Sequence, residues 1–155
     1  MLSVGVRILY DHSKKAEARY NRAARAGIVA ASEHLLSELR KAYQNYYTSG
    51  AFRSTLQIRQ ALRRANPEKD KDGWYTLVGV PTATVTPGRR PGDPKSLFDR
   101  PVDRGMVALY WEMGHDNLFL RRKVHVPIAK PTAAQATEGM RAAWARTVKR
   151  YMEAP

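Results

Sequence analysis

The chain has 155 residues, 43% of them hydrophobic, which suits one domain over residues 1–155. It contains no cysteine, which excludes disulfides, thiolate metal sites and cysteine nucleophiles. A net charge of +13 favours nucleic acid, an anionic membrane surface or an acidic protein as partner. No apolar run approaches the roughly 20 residues of a membrane span and no secretory signal is evident, so we expect a protein without a membrane partner that stays inside the cell that makes it.

The first predicted elements are a short strand over residues 3–10, where apolar residues alternate, and a long helix over residues 13–47. Ser13 is a suitable N-cap, and the run Thr-Ser-Gly at 48–50 is a helix stop. Gly27 costs a helix interior about 1 kcal/mol relative to alanine, which predicts a close approach or a bend there. The apolar stripe of this helix comprises Ala16, Tyr20, Ala23, Ile28, Ala31, Leu35, Leu39, Tyr43 and Tyr46.

After this helix the sequence predicts short strands and turns, followed by a last helix. A polar turn is expected over residues 66–73 and a Pro/Gly-rich loop over residues 86–104. An amphipathic helix is expected over residues 132–152. The strands are predicted over residues 55–62, 74–80, 107–113 and 119–126. The predicted class is α+β, with a long N-terminal helix and a C-terminal helix packed on a small antiparallel β-sheet with extended loops.

The order of four segments resembles the neck or tail-completion proteins of long-tailed phages, a family of head-tail joining and minor tail proteins. Residues 48–56 read Thr-Ser-Gly-Ala-Phe-Arg-Ser-Thr-Leu after the long helix, and residues 77–80 read Leu-Val-Gly-Val. Residues 108–114 read Ala-Leu-Tyr-Trp-Glu-Met-Gly and precede an Arg/Pro segment and the final helix. The resemblance covers most of the chain from about Ala16 to Tyr151.

This resemblance implies a structural virion protein at the head-tail junction, made in the host cytoplasm, without catalysis or a cofactor. It implies a homo-oligomeric ring, a hexamer rather than a dodecamer, between the connector or stopper and the tail-tube or tail-terminator proteins. The loop over 86–104 and an arm over 117–130 would reach adjacent rings. The expected interface residues are Arg89, Arg90, Phe98, Tyr110, Trp111, Glu112, Phe119, Arg121 and Arg122. The basic residues that would face genomic DNA in the lumen, without reading its sequence, are Arg19, Arg22, Arg25 and Lys123.

Two other classes of function stay open from the residues alone. The first is a basic nucleic-acid-binding module whose long helix lies along the phosphate backbone. The second is a small nuclease, which needs carboxylates around a metal ion. Glu112, His115, Asp116 and His125 form the one cluster that resembles a metal site, but it contains only a Glu-x-x-His fragment. The structural interpretation is that Glu112 accepts a backbone or arginine donor while His115 lies in a turn, so we predict no catalytic, metal or cofactor site.

Overall fold

The structure, a computed structural model, describes residues 13–48, 58–81, 85–86, 102–103, 108–109, 112–117, 122–125 and 127–153. Within these ranges two long helices, α1 (Ser13–Thr48) and α2 (Ala129–Glu153), flank four two-stranded antiparallel ladders. The predicted α+β class is therefore confirmed. The strand predicted over residues 3–10 lies outside the described residues. None of the described helices is long and apolar enough to cross a membrane.

Helix α1 agrees with its predicted bounds. It contains 36 residues, which corresponds to about 54 Å at 1.5 Å per residue. Its buried apolar residues are spaced eight, five, three and four apart, close to one or two helical turns, so they form one side of the helix. Those residues are Ala23, Ala31, Leu36, Leu39 and Tyr43. Four of the five belong to the predicted stripe, and Leu36 stands one position after the predicted Leu35.

The predicted stripe is wrong at the start of α1. Ala16 is exposed, and Tyr20 keeps 55% of its surface accessible. The reason is the length of α2: Arg19 Nε donates to the carbonyl of Tyr151 over 3.1 Å, near the C-terminus of α2. The first turns of α1 therefore extend past the end of the second helix, which cannot cover them.

Helices α1 and α2 run antiparallel and make the most extensive contact between elements. A β-carbon added to Gly27 would lie 2.6 Å from Cδ1 of Trp144 and 2.9 Å from Cγ2 of Val148. A β-carbon added to Gly139 on α2 would overlap the imidazole of His34 on α1. The two glycines thus allow a ring from the partner helix to lie directly on the backbone, and the close approach predicted at Gly27 is confirmed.

Residues 63–79 form one β-hairpin with a bulge. Its ladders pair β1 (Arg63–Arg64) with β4 (Val78–Gly79), and β2 (Glu68–Lys69) with β3 (Trp74–Tyr75). Between the ladders Asn66 and Pro67 stand opposite Thr76, two residues against one, which defines a β-bulge. Proline is tolerated at a bulge because the ladder needs no N–H there. The predicted strand over 74–80 is confirmed at β3 and β4.

The tip of this hairpin is closed by Asp70. Its Oδ1 accepts the N–H groups of Asp72 at 2.8 Å and Gly73 at 3.0 Å, and its own N–H donates to the Gly73 carbonyl at 2.9 Å. Gly73 has a φ of 131°, a conformation that glycine adopts readily. The polar turn predicted over 66–73 is confirmed at these residues, whereas β2 occupies residues 68–69.

Two further ladders follow. They pair β5 (Val85–Thr86) with β6 (Val102–Asp103), and β7 (His115–Asn117) with β8 (Arg122–Val124). The predicted loop over 86–104 therefore starts and ends in a ladder, and its interior lies outside the described residues. The strand predicted over 119–126 is confirmed at β8. His115 was expected in a turn but begins β7, and the turn is at Gly114, whose φ is 82°.

The predicted strand over 55–62 is wrong where the structure describes it, because residues 58–61 are helical. The N–H of Leu62 donates to the carbonyl of Ile58 over 3.0 Å, as in a helix. Ile58, Ala61 and Leu62 are all buried, and their spacing of three and four residues places them on one helical face.

The predicted strand over 107–113 is also wrong where the structure describes it, since residues 108–109 and 112–113 are helical. Leu109 and Met113 are 45% and 74% exposed. A short apolar run does not distinguish strand from helix by composition.

The core lies where the C-terminal half of α1 meets the helical turn 58–61 and the start of α2. Its buried residues are Leu36, Leu39, Tyr43, Ile58, Leu62 and Ile128. Val78 of β4 and Ala108 pack on its edge. Beyond the core, the opposite end of the helix pair is held by the small residues Ala23 and Gly27, and this end carries the charge described below.

Candidate interaction surfaces

Glu112 holds the first turn of α2 through three backbone N–H groups. Its Oε1 accepts from Ile128 at 2.7 Å and from Ala129 at 2.5 Å, and its Oε2 accepts from Lys130 at 3.3 Å. These donors have no partner within the helix, and an anion at a helix N-terminus is also favoured by the helix dipole. The predicted structural role of Glu112, as acceptor of backbone donors, is confirmed.

This cap explains why α2 begins at Ala129 and not at the predicted residue 132. Pro131 then lies in the first turn, where its missing N–H would have no partner in any case. The N–H of Thr132 donates to the carbonyl of Ile128 over 3.2 Å, and its Oγ1 donates to the same oxygen over 2.6 Å. The prolines that predicted a later start are therefore compatible with an earlier one.

Further contacts join Glu112 to the core. The Nε2 atom of His125 lies 2.9 Å from the carbonyl oxygen of Glu112. The side chain of Tyr43 is 2% exposed, and burial first, with the charge of Glu112 second, raises the pKa of its phenol well above the usual range. The segment around Glu112 thus connects the core end of α1 to the start of α2.

The cluster considered as a metal site has a different arrangement. The Glu112 carboxylate is engaged by backbone N–H groups, and the side chains of His115 and Asp116 lie outside the described residues. In the part of the chain that the structure describes, no three histidine or acidic side chains are grouped to hold a metal ion.

Most of the predicted interface residues fall outside the described ranges. Glu112 is described above, and Arg122 lies on β8, where its backbone pairs with Asn117. Lys123, predicted to face DNA, pairs in the same ladder with Asp116. The predicted residues outside the described ranges are Arg89, Arg90, Phe98, Tyr110, Trp111, Phe119 and Arg121.

The three predicted DNA-facing arginines of α1 contact different elements. Arg19 donates to the Tyr151 carbonyl of α2. Arg22 is exposed, and its Nε lies 3.4 Å from the carbonyl of Ala18 within α1. The Arg25 guanidinium lies 5.7 Å from the centroid of the Trp74 ring in β3, a cation–π contact. All three side chains therefore place their positive charge in the N-terminal half of α1.

The antiparallel pairing adds basic residues of α2 to this end. Over residues 14–25 and 141–153 there are nine basic residues against the acidic Glu17 and Glu153, a surplus of seven. Apart from partly buried Arg19, these basic residues are exposed. We call this surface the basic end; its members are Lys14, Lys15, Arg19, Arg22, Arg25, Arg141, Arg146, Lys149 and Arg150.

The β-hairpin has one face toward α1 and one face away from it. On the inner face Lys69 Nζ donates to Asn21 of α1 over 3.0 Å, and Trp74 meets Arg25. The outer face carries Tyr75 and Leu77, which are 41% and 70% exposed. Exposed apolar side chains that are neighbours on one face are typical of a contact surface.

Sequence reasoning missed the contribution of α2 to the basic end and the outer face of the hairpin. The spacing of Arg146, Lys149 and Arg150 placed them on one face of a helix, but only the pairing of α2 with α1 brings them beside the basic half of α1. The alternation of Trp74, Tyr75 and Leu77 carried a signal for the hairpin, since alternate residues of a strand face opposite sides.

Comparisons of the chain with models of known families, with curated proteins and with solved structures gave no match.

Proposed function

We propose that the protein is a structural subunit of a ring at the head-tail junction of a tailed phage, where it joins the connector to the tail tube. The subunit belongs to the virion, is made in the host cytoplasm and acts by geometry, without catalysis. Each copy presents two different surfaces to its neighbours, and such contacts close into a ring when the rotation between subunits divides a full turn.

The observation that carries the proposal is the contact between Glu112 and the first turn of α2. The resemblance to neck proteins rests on the order of several segments, one of which is a Glu-x-Gly segment that precedes an Arg/Pro segment and a final helix. In this chain the carboxylate of that segment accepts the first backbone donors of that helix. This contact explains why the Glu-x-Gly segment stands before the final helix. Its role in the contact is structural, which supports a role in assembly.

The test is the native mass of the purified protein, measured by light scattering across concentration and salt, with negative-stain images of the peak. We expect rings, with six subunits rather than twelve, either from the protein alone or after addition of connector and tail proteins. A chain that stays monomeric under all of these conditions contradicts the proposal.

The second candidate function, a basic nucleic-acid-binding module, is favoured by the basic end. A surplus of seven positive charges over two adjacent helix segments is a suitable contact for a phosphate backbone, whose affinity depends on charge and not on base sequence. This candidate predicts that the monomer binds duplex DNA without a ring.

Binding of labelled duplex DNA, followed by fluorescence anisotropy at several salt concentrations, tests this candidate. Replacing Arg146 and Arg150 by glutamine should lower the slope of log affinity against log salt by about two, since each lost phosphate contact removes about one. The matched control replaces Lys71 and Lys130, two exposed lysines outside the basic end, by glutamine. Equal losses in both variants would show that only net charge matters, and absence of binding at low salt would exclude the candidate.

A further inference from the structure

A second charged feature lies at the other end of α1. A groove of about 350 Å³ runs along the helix, with Leu36 at its base. Arg40 and Lys41 line it from α1, and Arg59 lines it from the helical turn 58–61. We call it the arginine groove.

Two of its cations have no carboxylate partner in the described part of the chain. Lys41 is paired with Glu38 at 2.7 Å. Arg40 donates to the carbonyl of Leu62 over 3.1 Å, a neutral acceptor that leaves the positive charge uncompensated. The Nε of Arg59 is buried and has no hydrogen-bond partner among the described residues. The part of the Arg59 guanidinium that lines the groove therefore also carries a positive charge that no described carboxylate offsets.

Glu33 also lines the groove, but its carboxylate is already paired with an arginine. Glu33 accepts from Nε of Arg64 in β1 over 2.8 Å. The groove therefore presents the guanidinium groups of Arg40 and Arg59 to its contents. Guanidinium groups bind carboxylates through parallel hydrogen bonds, which makes a carboxylate the fitting ligand.

Exposed carboxylates are concentrated at the tip of the β-hairpin. Glu68, Asp70 and Asp72 are all exposed within five residues, in a chain that has only 14 acidic residues. Of the two lysines among them, Lys69 is turned toward α1 by its bond to Asn21, while Lys71 is exposed.

Glu68 lies on the side of the hairpin away from α1. Its Oε2 accepts the hydroxyl of Tyr75 over 2.8 Å, and this bond is the first cause that raises the pKa of Tyr75. Acidic side chains thus adjoin the exposed apolar pair Tyr75 and Leu77, so the outer face combines charge with apolar surface, as protein contact surfaces do.

The tip and the groove cannot meet within one subunit. The tip is tied to α1 at Asn21, whereas the groove contains Arg40, and at 1.5 Å per residue these positions are about 28 Å apart along the helix. Complementary surfaces at two separate places on one chain produce a head-to-tail contact between copies.

We propose that the hairpin tip of one subunit inserts its carboxylates into the arginine groove of a second copy of this chain. This inference rests on the proposed ring and names the contact that closes it. A carboxylate from Asp72 or a neighbouring acid would face the side chains of Arg40 and Arg59 that line the groove. Tyr75 and Leu77 would be covered in the same contact.

Cysteine cross-linking tests the contact directly, because the chain contains no cysteine of its own. Asp72→Cys and Ser37→Cys place one thiol at the tip and one in the groove. A disulfide needs Cα atoms within about 7 Å, so the pair can bond only between subunits. We expect a ladder of covalent oligomers on mild oxidation. The matched control pairs Asp72→Cys with Ala134→Cys, an exposed residue of α2, and should give no ladder.

Charge reversal provides the second measurement. Asp72→Arg, on an exposed turn, and Arg59→Glu should each weaken subunit association about 30-fold or more, the effect of breaking a charge pair in an interface. The two reversals in one chain should restore association, because each contact regains opposite charges. Far-UV circular dichroism of each variant checks that it is folded.

The outcomes separate this inference from the proposed function. Wild-type rings with neither a cross-link ladder nor an effect of Asp72→Arg would overturn the tip-to-groove contact and leave the ring intact. A wild-type chain that stays monomeric with connector and tail proteins present would overturn both. A ladder in the tip-to-groove pair together with rescue by double reversal would support both.

Discussion

Removal of the Glu112 carboxylate should destabilise the protein more than removal of any other acidic side chain that the structure describes. The Glu112→Ala substitution leaves the N–H groups of Ile128, Ala129 and Lys130 without their acceptor. Loss of an N-cap costs about 0.5–2 kcal/mol, and hydrogen bonds to a charged group contribute about 1.5–3 kcal/mol each. Because water can hydrogen-bond to some of these N–H groups at the half-buried helix start, we expect the free energy of unfolding to fall by about 2–4 kcal/mol.

The Glu112→Gln substitution separates the charge from the hydrogen bond. Glutamine keeps one carbonyl oxygen as an acceptor but loses the interaction of a negative charge with the helix N-terminus, so we expect a loss of about 1–2 kcal/mol. In a domain of this size each kcal/mol lowers Tm by about 2–4 °C. The alanine variant should therefore unfold about 4–16 °C below the wild type, and the glutamine variant should fall between the two.

Urea and thermal unfolding followed by far-UV circular dichroism measure both changes. The control is Glu138→Gln, whose carboxylate is 84% exposed and pairs with Arg141 on the surface of α2. It should change stability by no more than about 0.5 kcal/mol. If both Glu112 variants stay within that range of the wild type, the carboxylate does not hold the helix and the support it gives to the proposed function is lost.

Two further predictions concern packing and pH. Gly27→Ala should lower stability by about 1–2 kcal/mol despite a gain in helix propensity of up to about 1 kcal/mol, because the new methyl group meets the ring of Trp144. In a Trp144→Ala background the same substitution should lower the Tm by less, because only the contact with Cγ2 of Val148 remains, and an equal loss there would contradict the contact with Trp144. The raised pKa of Tyr43 means that the folded state favours the neutral phenol. The contribution of this neutral phenol to the free energy of unfolding is therefore present below about pH 10 and is lost as the pH rises above that value. In Tyr43→Phe the decline of unfolding free energy above pH 10 should be shallower by up to about 1.4 kcal/mol per pH unit; a slope equal to that of the wild type would refute this.

The sequence alone determines the two helices, because their signals are local. Apolar residues recur at the helical period through Ala23, Ala31, Leu39 and Tyr43, and the run at 48–50 predicts a helix end close to the observed last residue, Thr48. The turn and the second strand of the β-hairpin are equally local, since the polar turn that ends at Gly73 stands beside a run of strand-favouring residues, whereas β1 and β2 were not predicted. Even the close approach at Gly27 could be expected, since glycine destabilises the interior of a helix and close packing against a neighbour is one way to offset that cost.

Tertiary structure decided which short apolar runs became helix and where the charges gathered. Residues 58–61 turn as a helix because Ile58 and Leu62 must reach the same core, a condition that no local pattern expresses. Glu112 could be expected to accept a backbone donor, but only the fold shows that the donors belong to the first turn of α2. The basic end likewise exists only because α2 returns antiparallel along α1, bringing together cations that are more than a hundred residues apart in the chain. Period and turn chemistry act between neighbours in sequence, whereas burial and electrostatics act between neighbours in space. For that reason the long helices and the polar turn can be predicted from the sequence, and the short apolar elements and the surfaces cannot.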